Sequence, residues 1–186
     1  KITVIDGKAE LMKKHNTVKV IDINNKETVY LAKHIIISTG AKSRQLPNLK
    51  QDGKSIIGYR EALSLKKMPK SMVIIGSGAI GVEFAYFYNS MGTKVTLLEY
   101  LPDIVPNEDY DISKELSKNL KKQGISILTN TNIEKIEKNG SNSLITITQK
   151  GEQKSLEADI LLSAVGIEPN TKNIGLEALK IGLKDG

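Results

Sequence analysis

The chain contains no cysteine and no tryptophan, and only two of its 186 residues are phenylalanine. Without thiols it cannot form a disulfide, a thiolate metal site or a reactive thiol of its own. Imidazoles are almost as scarce, because His15 and His34 are the only histidines. Neither has an obvious partner in the sequence, so we expect surface or structural roles for both and no metal site.

Long hydrophobic runs are also missing. No apolar stretch approaches the roughly 18 residues that a membrane-spanning helix needs. The N-terminus lacks the basic-then-apolar pattern of a signal peptide. We therefore expect no membrane contact and a cytoplasmic location. Because the sequence begins without methionine, at KITVID, and closes on the turn signal LKDG, we also expect it to be a segment of a longer protein.

Arginine is rare although the chain is basic, with a net charge of +6. Such a charge is compatible with nucleic-acid binding. However, the basic residues are nearly all lysines spread along the chain, and Arg44 and Arg60 are the only arginines. This distribution favours solvated lysines and no nucleic-acid partner. A nucleic-acid binder stays an alternative that requires a concentrated positive face.

The first part of the chain is rich in β-branched residues. The runs TVKVIDI (17–23) and ETVYLA (27–32) flank three polar residues (24–26), and this pattern predicts a β-hairpin. The continuous apolar run HIIIST (34–39) is typical of a strand that is buried on both faces. Residues 47–68 lose this periodicity and read as a connector between domains.

Residues 69–165 alternate between strands and helices. Apolar runs predict strands at 71–75, 94–99, 125–129 and 159–165, and helical spacing predicts helices at 79–91 and 109–123. Two further extended segments, 132–138 and 143–149, read as an antiparallel insert. The alternation predicts an α/β fold: a Rossmann-like parallel sheet with helices on both faces and an antiparallel β insert.

The stretch VIIGSGAIGVEFA carries Gly76, Gly78 and Gly81 in a GxGxxG pattern. The pattern alone is weak evidence, but here it follows a predicted strand and opens a predicted helix. The glycines would allow a tight turn, the approach of a pyrophosphate and close packing of helix on sheet. The N–H groups of Ala79 and Ile80 would then face the phosphates. A purely structural glycine turn is the alternative.

An acidic residue at the end of the next strand completes the dinucleotide pattern. Glu99 follows that strand, eighteen residues after Gly81. A carboxylate there holds ribose hydroxyls and repels a 2′-phosphate, which usually finds an arginine instead. The following residues, YLPDIV, include no basic residue. The sequence therefore favours NAD over NADP.

Four motifs, in order along the chain, resemble those of the flavin-dependent pyridine nucleotide-disulfide oxidoreductases. The first is STGAKSRQLP (38–47), which is similar to the family's ATGA-x-P. The second and third are MVIIGSGAIGVEFA and DISKELSKNLKKQGISIL. The fourth is VGIEPNT (165–171), which is similar to the family's GRxPNT. The resemblance covers essentially the whole chain. Within the family it is strongest to the dihydrolipoamide dehydrogenases.

The resemblance implies a protein in which NAD exchanges hydride with FAD, and FAD exchanges electrons with a redox disulfide. It also implies a homodimer within a 2-oxo acid dehydrogenase complex. Eleven positions match NAD-binding residues of the family: Gly76, Ser77, Gly78, Ala79, Ile80, Gly81, Val82, Glu83, Glu99, Ile133 and Gly166. Among them, Ile133 matches a position that touches the adenosine half of NAD, and Gly166 matches one that lies near the nicotinamide. Those that match backbone contacting FAD are Gly7, Ser38, Thr39 and Gly40.

Glu83 matches a carboxylate that the family directs towards the flavin; a solvated helix glutamate is the alternative. By the same resemblance we expect four segments: part of an FAD-binding domain (1–46), the connector (47–68), the NAD-binding domain (69–165) and a return towards the FAD domain (166–186).

The departures from the family are equally informative. The FAD-binding GxGxxG and the CxxxxC disulfide are absent from the sequence, and Ile167 replaces the arginine of GRxPNT. We therefore expect no catalytic residue in this segment and no turnover of lipoamide by it alone. Two alternatives stay open: a different family member, such as a mercuric reductase, a transhydrogenase or an NADH oxidase, and a stand-alone nucleotide-binding module.

Overall fold

The structure is a computed structural model, and it describes residues 1–47, 49–140 and 142–184. The chain divides into two units. The larger unit is Ser43–Ile167, and the other consists of Lys1–Lys42 with the segment that starts at Glu168.

A parallel sheet of five strands forms the centre of the larger unit. Its spatial order is β5-β12-β6-β7-β8, and the neighbouring strands pair in parallel. The strands are β5 (Ile56–Ile57), β6 (Ser71–Ile75), β7 (Lys94–Leu98), β8 (Ser126–Leu128) and β12 (Ile160–Ser163). The predicted parallel sheet is therefore present, with β6 in the middle.

Strand β6 shows why the central strands are apolar on both faces. Met72 and Ile74 face one hydrophobic core, while Val73 and Ile75 face another. All four are buried. Successive side chains of a strand point to opposite sides, so a continuous apolar run is stable only where both sides are covered.

Helices cover one face of the sheet. They are α1 (Tyr59–Ala62), α2 (Ala79–Ser90) and α3 (Tyr110–Lys122). Ala85 and Tyr88 of α2 and Leu120 of α3 share one core with Met72 and Ile74. Within the described ranges, no helix combines the length and apolarity needed to cross a bilayer.

The antiparallel insert covers the other face. It consists of β9 (Thr131–Asn139), β10 (Asn142–Gln149) and β11 (Glu152–Ala158), in the spatial order β11-β10-β9. Ile145 and Ile147 are fully buried and pack with Val73 and Leu98 of the parallel sheet. The predicted α/β fold and its insert are thus confirmed. One detail differs, because the insert takes the place of helices on this second face.

The smaller unit contains a three-stranded antiparallel sheet in the order β1-β2-β3. Its strands are β1 (Lys8–Leu11), β2 (Thr17–Ile21) and β3 (Glu27–Leu31). The predicted hairpin joins β2 to β3: Asn25 has a φ of 60°, and the Asp22 carboxylate accepts hydrogen bonds from the N–H groups of Asn24 and Lys26. Asparagine tolerates this left-handed conformation and aspartate caps the turn.

The expected strand at 34–39 is wrong. These residues form no strand, and Ile36 is 89% exposed. An apolar run becomes a strand only when neighbouring strands satisfy its N–H and C=O groups, and no described strand pairs with this one. Its end is fixed differently, because the Thr39 hydroxyl donates to the Asn170 carbonyl at 2.8 Å and the Asn170 amide donates to the Thr39 carbonyl at 3.0 Å.

Two short strands, β4 (Ala41–Ser43) and β13 (Ile167–Pro169), pair with each other. Between them an ion pair joins Lys42 Nζ to Glu168 Oε1 at 2.9 Å. Both side chains are well exposed, so the pair contributes little stability.

The Tyr88 hydroxyl provides a test of the helical core. Tyr88 is 1% exposed and donates to the Ala62 carbonyl, which ties α2 to α1. Burial raises the pKa of the Tyr88 phenol, so it keeps its proton. We expect Tyr88→Phe to lower the free energy of unfolding by about 1–2 kcal/mol, because a buried carbonyl loses its partner. Urea denaturation measures the change.

Tyr86→Phe is the matched control, since Tyr86 lies on the same helix and is 52% exposed. Its effect should stay within about 0.5 kcal/mol. Equal losses in the two variants would show that the buried hydrogen bond stabilises nothing.

Candidate functional site

The loop between β6 and α2 can be built only with glycine at two positions. Gly76 has a φ of +96°, and a Cβ there would lie 2.6 Å from the Ala164 carbonyl oxygen. A Cβ on Gly81 would lie 1.9 Å from the Gly76 carbonyl oxygen. Both distances are far below van der Waals contact. The turn and the packing of α2 on the sheet therefore require these two glycines.

Gly78 is different, because the protein itself does not require it. It is the N-cap of α2, with a φ of −65°, which any residue can adopt. Apart from its two neighbours in the chain, no described residue has an atom within 4 Å of the position that its Cβ would take. The space above Gly78 is thus open, and it lies directly at the start of a helix. Glycine is an acceptable N-cap, but Ser, Asp or Asn would cap this end better. A ligand that approaches the backbone there gives a physical reason for the absence of a side chain.

The start of α2 is suited to an anion. The first turn of a helix leaves N–H groups without intrahelical partners. No side chain caps this end of α2, and no acidic residue lies in its first turn. No side chain of the first turn of α2 therefore compensates the positive end of the helix dipole. Phosphate groups bind readily at such helix ends.

Glu99 lies beside this loop, as the sequence predicted for a carboxylate at the end of β7. Only 8% of it is exposed. Its Oε2 accepts hydrogen bonds from the Ser77 N–H at 2.9 Å and from the Ser77 hydroxyl at 2.6 Å. Its Oε1 accepts one from the Leu101 N–H at 2.9 Å. The carboxylate is therefore held in one orientation by three donors.

A cleft of about 870 Å³ opens at this end of the sheet. This volume is in the range of small-molecule sites, which are about 300–1,000 Å³. Eight residues that the sequence analysis assigned to NAD line the cleft: Gly76, Ser77, Gly78, Ala79, Ile80, Glu99, Ile133 and Gly166. The structure thus brings together residues that lie up to ninety positions apart in the chain.

The other three assigned residues do not line the cleft. Gly81 is buried against the loop, and Val82 packs against the helical core. Glu83 is exposed on α2. The orientation of Glu83 towards a flavin remains a prediction.

The residues matched to FAD all lie in the smaller unit. Ser38, Thr39 and Gly40 are exposed. Gly7 lies against β2, where a Cβ would come within 2.6 Å of the Ile21 carbonyl oxygen. No hydrogen bond between described residues joins Gly7 to the 38–40 stretch, and their shared contact with FAD stays a prediction.

Sequence reasoning missed several residues of the cleft. Polar and aromatic side chains that it did not select, namely Arg44, Tyr100, Asn107, Thr131 and Asn132, line the cleft as well. Arg44 is brought there by its backbone, whose N–H donates to the Gly166 carbonyl at 3.0 Å. The segment that follows Glu99 contains no basic residue, and no local pattern in the sequence indicates that a distant loop contributes Arg44 to the cleft.

Comparison with known families gives one match. The pyridine nucleotide-disulphide oxidoreductase family matches residues 1–186. Two curated relatives are dihydrolipoyl dehydrogenases. The chain is 47% identical to that of Rhizobium etli over 83% of this chain and 32% of the relative. It is 38% identical to that of Zymomonas mobilis over 100% of this chain and 40% of the relative.

Solved structures agree with this match. The crystal structure of LpdA from Mycobacterium tuberculosis superimposes with a TM-score of 0.85 at 27% identity, covering 97% of this chain and 40% of that one. The flavoprotein disulfide reductase RclA from Escherichia coli gives a TM-score of 0.81 at 31% identity, over 98% and 40%. The chain thus spans 32–40% of the length of these four relatives.

The two kinds of glycine in the loop predict losses of stability of different size. Gly81→Ala should lower the free energy of unfolding by at least about 2 kcal/mol, because the new methyl group overlaps backbone. Gly78→Ala should lower it by no more than about 1 kcal/mol, since the position is open and the only loss is that alanine is a poorer N-cap than glycine. Thermal and urea denaturation of both variants measure the difference.

Gly182→Ala is the control, because Gly182 also has open space at its Cβ position and lies outside the larger unit. A loss of stability in Gly78→Ala as large as that in Gly81→Ala would show that the fold itself needs all three glycines.

Proposed function

The chain belongs to the pyridine nucleotide-disulphide oxidoreductase family, and on that premise we propose that its larger unit is the NAD-binding part of an enzyme of dihydrolipoyl dehydrogenase type. The chain spans 32–40% of the four relatives compared above. Within the proposal, the complete protein oxidises dihydrolipoamide and passes the electrons through FAD to NAD.

The open space above Gly78 is the observation that carries this proposal. Gly76 and Gly81 are explained by protein contacts, whereas at Gly78 no described residue other than its two chain neighbours has an atom within 4 Å of the Cβ position. A diphosphate that bonds to the first N–H groups of α2 accounts for this glycine and for the missing side-chain cap. The cleft around it supplies the room for the two nucleosides.

Glu99 supports NAD rather than NADP. Its carboxylate is fixed at the cleft and presents negative charge where a ribose hydroxyl donates. Arg44 lines the same cleft, but its backbone pairs with Gly166, whose position matches the nicotinamide side of the family site. We therefore assign Arg44 to the pyrophosphate or the nicotinamide half.

The remaining assignments rest on the positions that the family resemblance implies, and the cleft is compatible with two of them. Ile133 contributes an apolar wall for the adenosine, and Gly166, with a φ of +104° and no Cβ, lets the nicotinamide approach the backbone. In the complete protein, bound FAD supplies a two-electron acceptor and donor. Glu83 is proposed to face it, and Gly7 with the 38–40 stretch to contact it.

The chain itself carries no catalytic residue in this proposal. It has no cysteine, so the thiols that react with lipoamide must belong to another part of the protein. Its own residues bind the dinucleotide, fix the ribose and hold the nicotinamide in place. We further propose a cytoplasmic homodimer that works within a 2-oxo acid dehydrogenase complex.

A different family member is the second candidate. The chain is 31% identical to RclA over 98% of its length, against 47% and 38% for the two dihydrolipoyl dehydrogenases. Both candidates share the NAD-binding role, and they differ in the disulfide substrate.

Titration calorimetry with the full 186-residue chain tests the proposal. We expect NAD and ADP-ribose to bind with similar constants, because in the proposal the hydrogen bonds go to the adenosine ribose and the pyrophosphate, and the nicotinamide adds only an approach to the backbone at Gly166. Gly78→Ala should lower the affinity for both ligands by at least about 10-fold. The new methyl group would keep the phosphate away from the backbone, and about 10-fold corresponds to the loss of one charge-assisted hydrogen bond to phosphate.

Gly182→Ala should leave both constants unchanged. The absence of any binding to the unmodified chain would contradict the proposal. Strong preference for NAD over ADP-ribose would contradict the assignment of the binding energy to the adenosine half.

A further inference from the structure

Every polar group of Ser77 is bonded to the segment that follows β7. Its N–H and its hydroxyl both donate to Glu99 Oε2. Its carbonyl accepts from the Val105 N–H at 2.9 Å. Ser77 itself is fully buried. Ser77, which lies between the first two glycines of the GxGxxG loop, thus connects this loop, the proposed phosphate site, to Glu99, the proposed ribose site.

The backbone of Val105 is strained where it bonds to Ser77. Its φ is +41°, a left-handed conformation that a β-branched residue adopts only under constraint. Its N–H bonds to Ser77, and its carbonyl accepts from the Ser113 hydroxyl at 3.4 Å. The segment between Glu99 and α3 is therefore anchored on the glycine loop.

The hydrogen bonds leave Glu99 with little freedom. A carboxylate has about four lone-pair positions. Two on Oε2 are taken by Ser77 and one on Oε1 by Leu101. The remaining position is on Oε1, and no described residue uses it. Because Glu99 lines the cleft, this position is available to one hydroxyl group of a ligand.

We propose that Ser77 is a positioning residue that sets the preference for an unphosphorylated adenosine ribose, by preventing the Glu99 carboxylate from rotating out of the cleft. The inference rests on the proposed function. A 2′-hydroxyl donates to the free position on Oε1. A 2′-phosphate brings negative charge to the same place, and it fits only if the carboxylate turns away, which requires breaking both bonds to Ser77.

A purely structural role for Ser77 predicts something else. If the serine only stiffened the loop, its loss would lower the affinity for every nucleotide that binds the loop by the same factor. The two roles can be separated by the ratio of the affinities for ADP-ribose and 2′-phospho-ADP-ribose. These two ligands share all contacts except the one at the 2′-substituent.

The test uses the full chain and two probes, ADP-ribose and 2′-phospho-ADP-ribose, titrated by calorimetry at one fixed salt concentration. Ser77→Ala removes the hydroxyl and keeps the backbone bonds. Ser113→Ala is the matched control, since Ser113 is also buried and its hydroxyl bonds to Val105 rather than to Glu99. Thermal melting establishes that each variant is folded.

We expect the unmodified chain and Ser113→Ala to prefer ADP-ribose by the same ratio. In Ser77→Ala this ratio should fall by about 2- to 12-fold, the factor that one hydrogen bond contributes. In a Glu99→Gln background the ratio should be low already, and adding Ser77→Ala should not change it further, because Ser77 acts through the carboxylate.

An unchanged ratio in Ser77→Ala, with both ligands weakened equally, overturns the inference and leaves the proposed function intact. A further fall of the ratio when Ser77→Ala is added to Glu99→Gln overturns it as well, since Ser77 would then act independently. If the unmodified chain binds neither probe, the proposed function fails and the inference fails with it.

Discussion

The approach of Gly81 to the carbonyl of Gly76 determines where α2 begins. The helix can start at the end of β6 only because neither residue has a side chain, and this places the first N–H groups of α2 at the edge of the sheet. The same turn brings Ser77 against Glu99. The proposed anion site and the proposed ribose site therefore depend on one backbone contact that no side chain could replace.

The order of the strands explains why the cleft lies there. Strand β6 has β7 on one side and β12 on the other. After β6 the chain adds β7 and β8 on one side, and it later returns to add β12 on the opposite side, so the strand order reverses at the carboxyl end of β6. Crevices at such reversals are the usual ligand sites of open α/β sheets. Here the insert closes one side, because Thr131, Asn132 and Ile133 at the start of β9 line the cleft.

Local patterns predicted the elements that local interactions determine. The hairpin at Asn25, the start of α2 and the alternation that requires a parallel sheet all follow from residues within a few positions of each other. The nearness of Glu99 to the glycine loop also followed, because the distance between neighbouring parallel strands is fixed.

Features that depend on distant partners could not be predicted in the same way. The run at 34–39 has the composition of a buried strand, but composition does not specify whether a neighbouring strand is present. Arg44 reaches the cleft through a bond to Gly166, more than a hundred residues away. The role of the insert as the cover of one face likewise depends on how Ile145 and Ile147 meet the sheet.

The unequal glycines have a consequence for the evolution of this loop. Selection for folding alone would retain Gly76 and Gly81 and would let position 78 drift to other amino acids. Under the proposed function, selection for nucleotide binding acts on position 78 separately. Descendants that had abandoned the nucleotide would therefore be recognisable by a substituted middle glycine between two intact ones, a signature of lost activity on an otherwise preserved scaffold.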